Sequence, residues 1–357
     1  DSNPWAEHVP RERLEPRGPV EVLATWLGAR QGRAGLERPL MVRFGDISRI
    51  EAAGRDLTVT LKSGTVIELD RFEADDFADG LRVWDRHGGV VELGEWPVTR
   101  VEFLATPPLP EVPNPLRGTV YTARGSFTGL VQWDRTAALG SDLLLGRTKE
   151  GMQRLRFDAI DRIERAPDGR AVVLLSDGRE VRLGGTRATG DGHLGVYVDD
   201  ARYGRVLVSW EAFERIEFDH GSDARAPGYE DFPPGERLRG RVRLADGSVL
   251  SGTIVYDLDE SETTQTLDAP RDGVDYTIPF GLVAAIDAGQ GERAVVRLHG
   301  GESVELEREG DLGPDNLGVL VFTGDAAAPV HVPWEQVRRI EFDRPSALSP
   351  PLPRQDD

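Results

Sequence analysis

A short pattern of aromatic, apolar and acidic residues recurs along the chain and constrains its fold more than any other feature. An aromatic residue is followed at intervals of three by two apolar residues, and an acidic residue comes next. The full copies start at Phe44, Phe157, Trp210, Phe280 and Trp334, and a shortened copy starts at Trp96. Because side chains at i and i+3 eclipse in a 3₁₀ helix, the pattern predicts a single 3₁₀ turn between two strands.

The predicted unit of strand, tight turn and strand resembles the one that SH3-like and Sm-like barrels place before their last strand. In such barrels the leading aromatic residue would fill the floor of the core, since large aromatic side chains dominate core burial. A glycine turn follows the first aromatic of each pair and predicts a hairpin that needs positive φ. These glycines are Gly64, Gly178 and Gly301.

The spacing of the pattern predicts three large repeats. The first and second aromatics of each repeat lie 52, 53 and 54 residues apart. The predicted fold is all-β, with tandem small SH3-like or Sm-like β-barrel domains in three large repeats and a mixed N-terminal arm. The predicted parts are an arm with a short helix (1–40), a truncated repeat 1 (41–105), repeat 2 (116–220), repeat 3 (238–344), and Pro-rich linkers or tail (106–115, 221–237 and 345–357). Alternatively, Arg17-Gly-Pro-Val20 starts a degenerate repeat.

Composition argues against several classes of function. The formal net charge is −19, which disfavours binding to nucleic acid or to an anionic lipid surface. There is no Cys, which excludes disulfides, thiolate metal sites and cysteine nucleophiles. No apolar run of 18 residues is present, so we expect no transmembrane segment. The chain starts at Asp1, and we expect a processed, exported protein, periplasmic or otherwise extracytoplasmic.

Few motifs in the chain suggest chemistry. Gly190–Gly195 matches the dinucleotide fingerprint as a string, but a strand and not a helix follows, so we expect a β-loop. The six His have no metal-ligand spacing, and we expect each to be a solvated loop residue. The acidic loops Asp257–Glu262 and Asp311–Asp315 are predicted to be solvated, with Ca²⁺ binding as the alternative. We therefore predict no catalytic, cofactor or metal residues and no enzyme activity.

The N-terminal arm carries the candidate binding residues. An arm has little core of its own, so its large apolar side chains are candidate anchors for a protein partner. These candidate partner-binding residues are Trp5, Leu23, Trp26 and Leu27. We expect the arm to pack along a partner or along repeat 1. A glycan site would need exposed rings on one face, and the other aromatics, including Trp133 and Tyr256, are scattered outside the repeated pattern.

The ends of the repeats carry a family resemblance. Arg215–Phe218 and Arg339–Phe342 both read Arg-Ile-Glu-Phe, and Arg117-Gly and Arg239-Gly start paired hairpins. In these features the three repeats resemble exported proteins of Arg-rich bacteria. They are also similar to a periplasmic accessory subunit of some bacterial photosynthetic reaction-centre and light-harvesting complexes. The resemblance implies a subunit that binds no pigment and braces a membrane complex from outside, and it carries over no functional residue.

The expected function is therefore that of a non-catalytic structural or accessory subunit without cofactors. Its partners would be protein subunits of a larger complex, of the membrane-bound reaction-centre type if the resemblance holds. The alternative is a module that binds glycans or the cell envelope.

Overall fold

The chain is an all-β protein. The computed structural model describes residues 5, 8–9, 42–71, 80–85, 87, 89–94, 98–105, 114–221, 227–289, 291–324 and 328–346. Among these residues the regular elements are 26 β-strands and 3₁₀ turns of three residues. The predicted short helix, with Leu23, Trp26 and Leu27, lies outside the described residues.

Repeat 1 contributes a four-stranded sheet and a separate hairpin. The sheet has the order β3-β2-β1-β6, and β4 pairs with β5 alone. The strands are β1 (Ile47–Ala53), β2 (Asp56–Leu61), β3 (Val66–Asp70), β4 (Leu81–Asp85), β5 (Gly89–Leu93) and β6 (Arg100–Glu102).

Repeat 2 forms most of the largest sheet. Eight of its ten strands lie in the order β13-β12-β11-β16-β7-β8-β14-β15, and the hairpin β9–β10 forms a two-stranded sheet of its own. The strands are β7 (Arg117–Thr122), β8 (Gly125–Trp133), β9 (Leu143–Thr148), β10 (Gly151–Arg156), β11 (Ile160–Arg165), β12 (Ala171–Leu175), β13 (Glu180–Leu183), β14 (Val196–Asp200), β15 (Gly204–Val208) and β16 (Phe213–Phe218).

Repeat 3 repeats this arrangement and also joins repeat 2. Its own sheet has the order β23-β22-β21-β26-β17-β18-β24-β25, whereas its hairpin β19–β20 extends the sheet of repeat 2 beyond β15. The two repeats thus share one ten-stranded sheet. The strands are β17 (Arg239–Leu244), β18 (Val249–Tyr256), β19 (Thr266–Arg271), β20 (Val274–Pro279), β21 (Val283–Asp287), β22 (Arg293–Leu298), β23 (Ser303–Glu307), β24 (Val319–Phe322), β25 (Val330–Val332) and β26 (Val337–Phe342).

Repeats 2 and 3 match residue by residue in their cores. The Trp133 indole donates a hydrogen bond to the Ala188 carbonyl (3.0 Å), and at the matching place the Tyr256 hydroxyl donates to the Asp311 carbonyl (2.7 Å). Trp133 and Tyr256 are 1% and 0% exposed. Both rings belong to the repeat cores. The prediction that Trp133 and Tyr256 lie outside the repeat cores was therefore wrong. Their burial removes them as candidates for a glycan-binding face.

The predicted 3₁₀ turns are confirmed at four of the five full copies of the pattern. They span Phe44–Asp46, Phe157–Ala159, Phe280–Leu282 and Trp334–Gln336. At the remaining full copy, the Phe213 amide donates to the Ser209 carbonyl and closes a turn over Trp210. Four of the five leading aromatics are buried, as expected of a core role.

Phe44 does not fill a core, and that expectation was wrong. Its side chain is 58% exposed and stacks on Phe103. In repeat 2 the equivalent Phe157 is covered from both sides, by Phe218 and by Trp133 of strand β8. The position in repeat 1 that matches Trp133 falls in the undescribed residues before Val42.

The Arg-Ile-Glu motif has a structural explanation. On β16 the Ile216 side chain is buried, while Arg215 and Glu217 point outward and form an ion pair of 3.2 Å. Strand β26 repeats this arrangement with the ion pair Arg339–Glu341 at 2.9 Å. The alternation of one buried and two outward residues is that of a strand with one solvated face. The arginines of the motif are therefore satisfied within the chain.

The linker between repeats 2 and 3 binds to repeat 1. Lys62 Nζ donates to the carbonyls of Tyr229 (2.5 Å) and Phe232 (2.8 Å) and lies 3.5 Å from the centre of the Tyr229 ring. Burial lowers the pKa of Lys62. The Tyr229 hydroxyl donates to the Ile47 carbonyl, and Thr65 donates to the Glu262 carboxylate of repeat 3. Repeat 1 is thus fastened to the linker and to repeat 3.

Candidate interaction surface

The fingerprint-like loop is a β-loop, as predicted. Gly190–Gly195 leads into strand β14, and a 3₁₀ turn of three residues, Arg187–Thr189, precedes it. The loop lines a shallow cleft of about 470 Å³. Because no α-helix N-terminus among the described residues faces this cleft, that part of the chain lacks the group that holds a pyrophosphate in dinucleotide-binding folds.

His193, within this loop, is a core residue, so the prediction of a solvated side chain was wrong. It is 8% exposed, and its ring stacks on Trp210 at 4.6 Å and meets Trp133 edge-on at 4.7 Å. Its Nδ1 accepts the Gly195 amide (2.9 Å), and its Nε2 is buried with no hydrogen-bond partner among the described residues. Burial lowers the pKa of His193 to about 4, so it is neutral at pH 7. A ring enclosed in this way has a structural role.

The acidic loops of repeat 3 are also buried, and their predicted solvation was wrong. The Asp257 carboxylate accepts the Leu317 amide (2.6 Å), and the Asp311 carboxylate accepts the Asp268 amide (2.7 Å). Burial raises the pKa of Glu260 well above its usual range. Within the described residues no group of three or more His, Cys, Asp or Glu is arranged to hold a metal ion. The carboxylates of Asp257 and Asp311 thus pair with backbone amides in the interior.

Trp5, the one predicted anchor that lies within the described residues, contacts repeat 3. Trp5 and Val9 form a small apolar cluster with Val255, Leu258 and Leu320. The Trp5 ring also meets Phe322 of strand β24 edge-on, with ring centres 5.8 Å apart. This segment of the arm therefore packs on repeat 3 and not on repeat 1, while the expected contact of the arm with a partner stays a prediction.

The composition of the outer sheet face explains why Trp5 binds there. On repeat 3 this face carries Val255, Leu320 and Phe322. Counting from the paired strands, the equivalent residues of repeat 2 are Gln132, Tyr197 and Asp199. Packing an apolar ring on the face of repeat 3 is favourable because it removes apolar area from water. The more polar face of repeat 2 offers less apolar area to cover. The difference is readable from the sequence only when the two repeats are aligned strand by strand.

The hairpin β9–β10 (143–156, the basic hairpin) has the most unusual surface among the described residues. Leu143, Leu145 and Met152 are 46%, 40% and 48% exposed. Side chains on one face of a strand occur at every second residue, so Leu143, Leu145 and Arg147 share one face of β9. Met152 lies directly opposite Arg147 and therefore belongs to the same face. The three apolar side chains therefore share the outer face of the hairpin.

The outer face of the basic hairpin is also positively charged. Residues 143–156 hold four basic residues and one acid, a net charge of +3 in a chain of −19. Lys149, one of two Lys in the chain, lies in the hairpin turn. Arg147 and Arg154 form no ion pair within the described part of the chain, unlike most of its surface arginines. Arginine around an apolar centre is typical of protein interfaces.

The matching hairpin of repeat 3 shows that the fold does not require these side chains. Strands β19 and β20 carry Thr266, Asp268 and Asp275 where the basic hairpin carries Leu143, Leu145 and Met152. Residues 266–279 hold one Arg and three acids, a net charge of −2. The apolar and basic surface is therefore specific to repeat 2.

Among the described residues, strand β9 carries the hydrogen bonds that join the basic hairpin to Gly184 and Thr186 of its own repeat, and Leu155 of strand β10 packs against the core. The amide and carbonyl of Arg147 on β9 exchange hydrogen bonds with Gly184, and Thr186 donates to the Leu145 carbonyl (2.7 Å). Gly146 is required because a Cβ there would come within 2.7 Å of the Leu183 side chain. Strand β10 is the outer strand of this two-stranded sheet.

The sequence contained a signal for this surface that motif searching missed. A cluster of four basic residues within 14 positions of an acidic chain is visible without a structure. Its apolar residues were not separable from core residues, because only the structure shows that Leu144 is buried while Leu143 and Leu145 are not.

Comparisons with protein-family models and with curated proteins return no match. Within the described residues, no helix has the length and apolar character needed to cross a bilayer.

Proposed function

We propose that the chain is a non-catalytic accessory subunit that binds protein partners and braces a larger assembly on the extracytoplasmic side. The observation that supports this proposal is the basic hairpin, with three exposed apolar side chains among unpaired arginines. Such a face attracts an acidic partner surface and then buries apolar area against it. The partner we propose is a protein subunit with an acidic rim around an apolar patch.

The candidate catalytic features give no support to an enzyme. His193 is enclosed by rings, and the buried carboxylates of repeat 3 accept backbone amides. No nucleophile, base and orienting group were found together among the described residues, as a catalytic site requires. A membrane-bound complex of the reaction-centre type, which the sequence resemblance implies, is the assembly we propose to test first.

The test exchanges the outer face of the basic hairpin for that of its counterpart in repeat 3. The triple variant Leu143→Thr, Leu145→Asp, Met152→Asp should fold with an unchanged melting temperature, because repeat 3 tolerates the same residues. We expect this variant to lose stoichiometric co-purification with the partner complex from detergent extracts. The matched control Val249→Thr removes an equally exposed apolar side chain, 46% exposed on β18, and should bind as wild type does.

Salt dependence provides a second measurement. If arginines steer the encounter, raising the salt concentration should slow association of the wild-type chain, since exposed charges are screened. Retention of the same partners by the triple variant would refute the proposed surface. A wild-type chain that elutes only as a free monomer from native extracts would refute the proposed function.

A further inference from the structure

The edge strands of the three repeats differ in what covers them. In repeat 2 the edge strand β15 is covered by the hairpin β19–β20 of repeat 3. The equivalent strands are β5 in repeat 1 and β25 in repeat 3, because each pairs with the preceding strand in the same register. The hairpin equivalent to β19–β20 is the basic hairpin, which precedes a 3₁₀ turn in the same way.

We propose that strand β5 pairs with strand β10 of the same chain, in the register by which β15 pairs with β20, so that β4–β5 and β9–β10 form one four-stranded sheet between repeats 1 and 2, and that the series of such junctions ends at β25. In the structure β4–β5 and β9–β10 are two separate two-stranded sheets. The proposal concerns the backbone edge of β10 and does not depend on the function proposed for the outer face of the hairpin.

The backbone donors of the edge strands support this assignment. The Ser209 amide donates to the Gly273 carbonyl across the β15–β20 junction. Because backbone groups alternate along a strand, the amides of Arg205 and Leu207 face the same side as that of Ser209. At the matching positions β5 and its next residue have Val90, Glu92 and Gly94, which all carry an N–H. Strand β5 can therefore form the same ladder.

Strand β25 cannot form this ladder. The residues that match Arg205 and Ser209 are Pro329 and Pro333, which flank the strand. Proline has no backbone N–H, so only His331 could donate toward a further strand. Prolines at sheet edges prevent the addition of another strand. The series of repeats therefore ends at β25, and a second copy of the chain is not expected to extend it.

The inward-facing side chains of β4 and β5 lack the cover that their counterparts have. Val83 and Leu93 are 42% and 37% exposed, whereas the equivalent Val198 and Val208 are fully buried. Pairing with the hairpin would bring Leu155 and Leu144 to the same layer, as Ile278 and Leu267 are brought to the second junction. Burying the exposed valine and leucine would favour the paired state.

Side-chain charges agree with the proposed register. It places Glu92 opposite Met152 and diagonal to Arg154, whose guanidinium forms no ion pair elsewhere in the described part of the chain. Diagonal neighbours on one sheet face lie within reach of long side chains. Glu92 pairs with Arg82 of its own hairpin at 2.9 Å, and across the junction its carboxylate would be shared between Arg82 and Arg154.

The aromatic residues indicate that the first junction is the weaker of the two. At the second junction the rings of Phe127, Tyr203 and Tyr276 meet edge-on with centres about 6 Å apart. Burial there raises the pKa of Tyr276 to about 12. At the first junction Gln153 occupies the position of Tyr276, so the contact between aromatic rings is missing there. Weaker packing at the first junction is consistent with the separation of the hairpins β4–β5 and β9–β10 in the structure.

Disulfide trapping tests the pairing in the purified chain, which has no Cys of its own. The double variant Glu92→Cys/Met152→Cys places two thiols directly opposite each other on the outer face, in the proposed register. The positive control is Leu207→Cys/Asp275→Cys, the equivalent pair across the second junction. Directly paired strand positions lie within the Cα separation that a disulfide needs.

We expect the test variant to oxidise to an intramolecular disulfide, more slowly than the positive control. It should oxidise at least ~10-fold faster than the slipped pair Glu92→Cys/Gln153→Cys, because a shift of one residue turns a side chain to the opposite face. Peptide mapping under non-reducing conditions identifies the bond.

Two results would overturn the inference. One is a positive control that oxidises while the test variant does not. The other is a test variant that oxidises only to covalent dimers, which would assign the partner of β5 to a second copy. If the variant His331→Cys/Met152→Cys formed covalent dimers, a second copy of the chain would be able to pair with β25. That result would contradict the proposal that the series of junctions ends at β25.

Discussion

Replacing His193 by Asn should reduce the acid sensitivity of repeat 2. Burial lowers the pKa of His193 from 6.5 to about 4, the nearby Asp134 carboxylate opposes that shift, and the Arg187 guanidinium adds to it. Between these two pH values the unfolded chain binds a proton that the folded chain excludes, so stability falls as the pH falls from 6.5 to 4. A shift of this size corresponds to roughly 3 kcal/mol at the acid end.

Repeat 3 shows that Asn can occupy this position. Asn316 stands where His193 stands in repeat 2, and its side-chain oxygen accepts the Gly318 amide (2.7 Å) as His193 accepts the Gly195 amide. The variant keeps this hydrogen bond but loses the ring contacts of His193 with Trp210 and Trp133. The loss of these contacts should lower the free energy of unfolding by about 1 kcal/mol at pH 7. At pH 4 it should be more stable than wild type by about 2 kcal/mol, since the variant has no imidazole to protonate.

The assay is urea unfolding followed by tryptophan fluorescence at several pH values between 4 and 7. Taking the difference between variant and wild type removes the contribution of other buried acids, among them Glu260, whose raised pKa acts in the opposite direction. Parallel stability curves for the two proteins across this range would refute the assignment of His193 as a neutral core residue.

Four further substitutions test the remaining contacts. Trp210→Ala should lower the free energy of unfolding by about 3–5 kcal/mol. Trp334→Ala should lower it by less, because the Trp334 side chain is more exposed and contacts fewer rings. Unchanged urea midpoints would contradict a core role for these side chains. Lys62→Met should speed amide exchange at residues 229–232 without affecting repeat 3, as it removes two hydrogen bonds to the linker. Trp5→Ala should expose Phe322 and make the N-terminal segment more sensitive to limited proteolysis; an unchanged cleavage rate would show that the segment is held elsewhere.

Local features of the fold were predictable from the sequence. The 3₁₀ turns follow from a spacing of three, and the positive φ values of Gly64, Gly178 and Gly301 follow from their place in tight hairpins. Both signals involve residues that are close in the chain. The all-β class follows from the same turns and from alternating strands, while the likeness to SH3-like barrels stays a prediction.

Long-range features were not predictable in this way. The hairpin β19–β20 leaves its own repeat for the sheet of repeat 2, and no local pattern marks that exchange. The burial of His193 and Asp257 was missed because polar residues in loops are solvated in most proteins, and only tertiary neighbours show otherwise. The candidate surface was missed because its apolar residues alternate with buried ones on the same strand.

The positions at which repeats 2 and 3 differ separate folding from binding. Where both need a core hydrogen bond, Trp133 and Tyr256 supply it by different chemistry to the same backbone position. At the outer face of the first hairpin the two repeats instead diverge from apolar and basic to polar and acidic, with no consequence for the strand pairing beneath. Residues that can change so completely without altering the fold are not constrained by it. Their apolar character in repeat 2 therefore requires another cause, and the partner protein that we propose would account for both the exposed leucines and the unpaired arginines beside them.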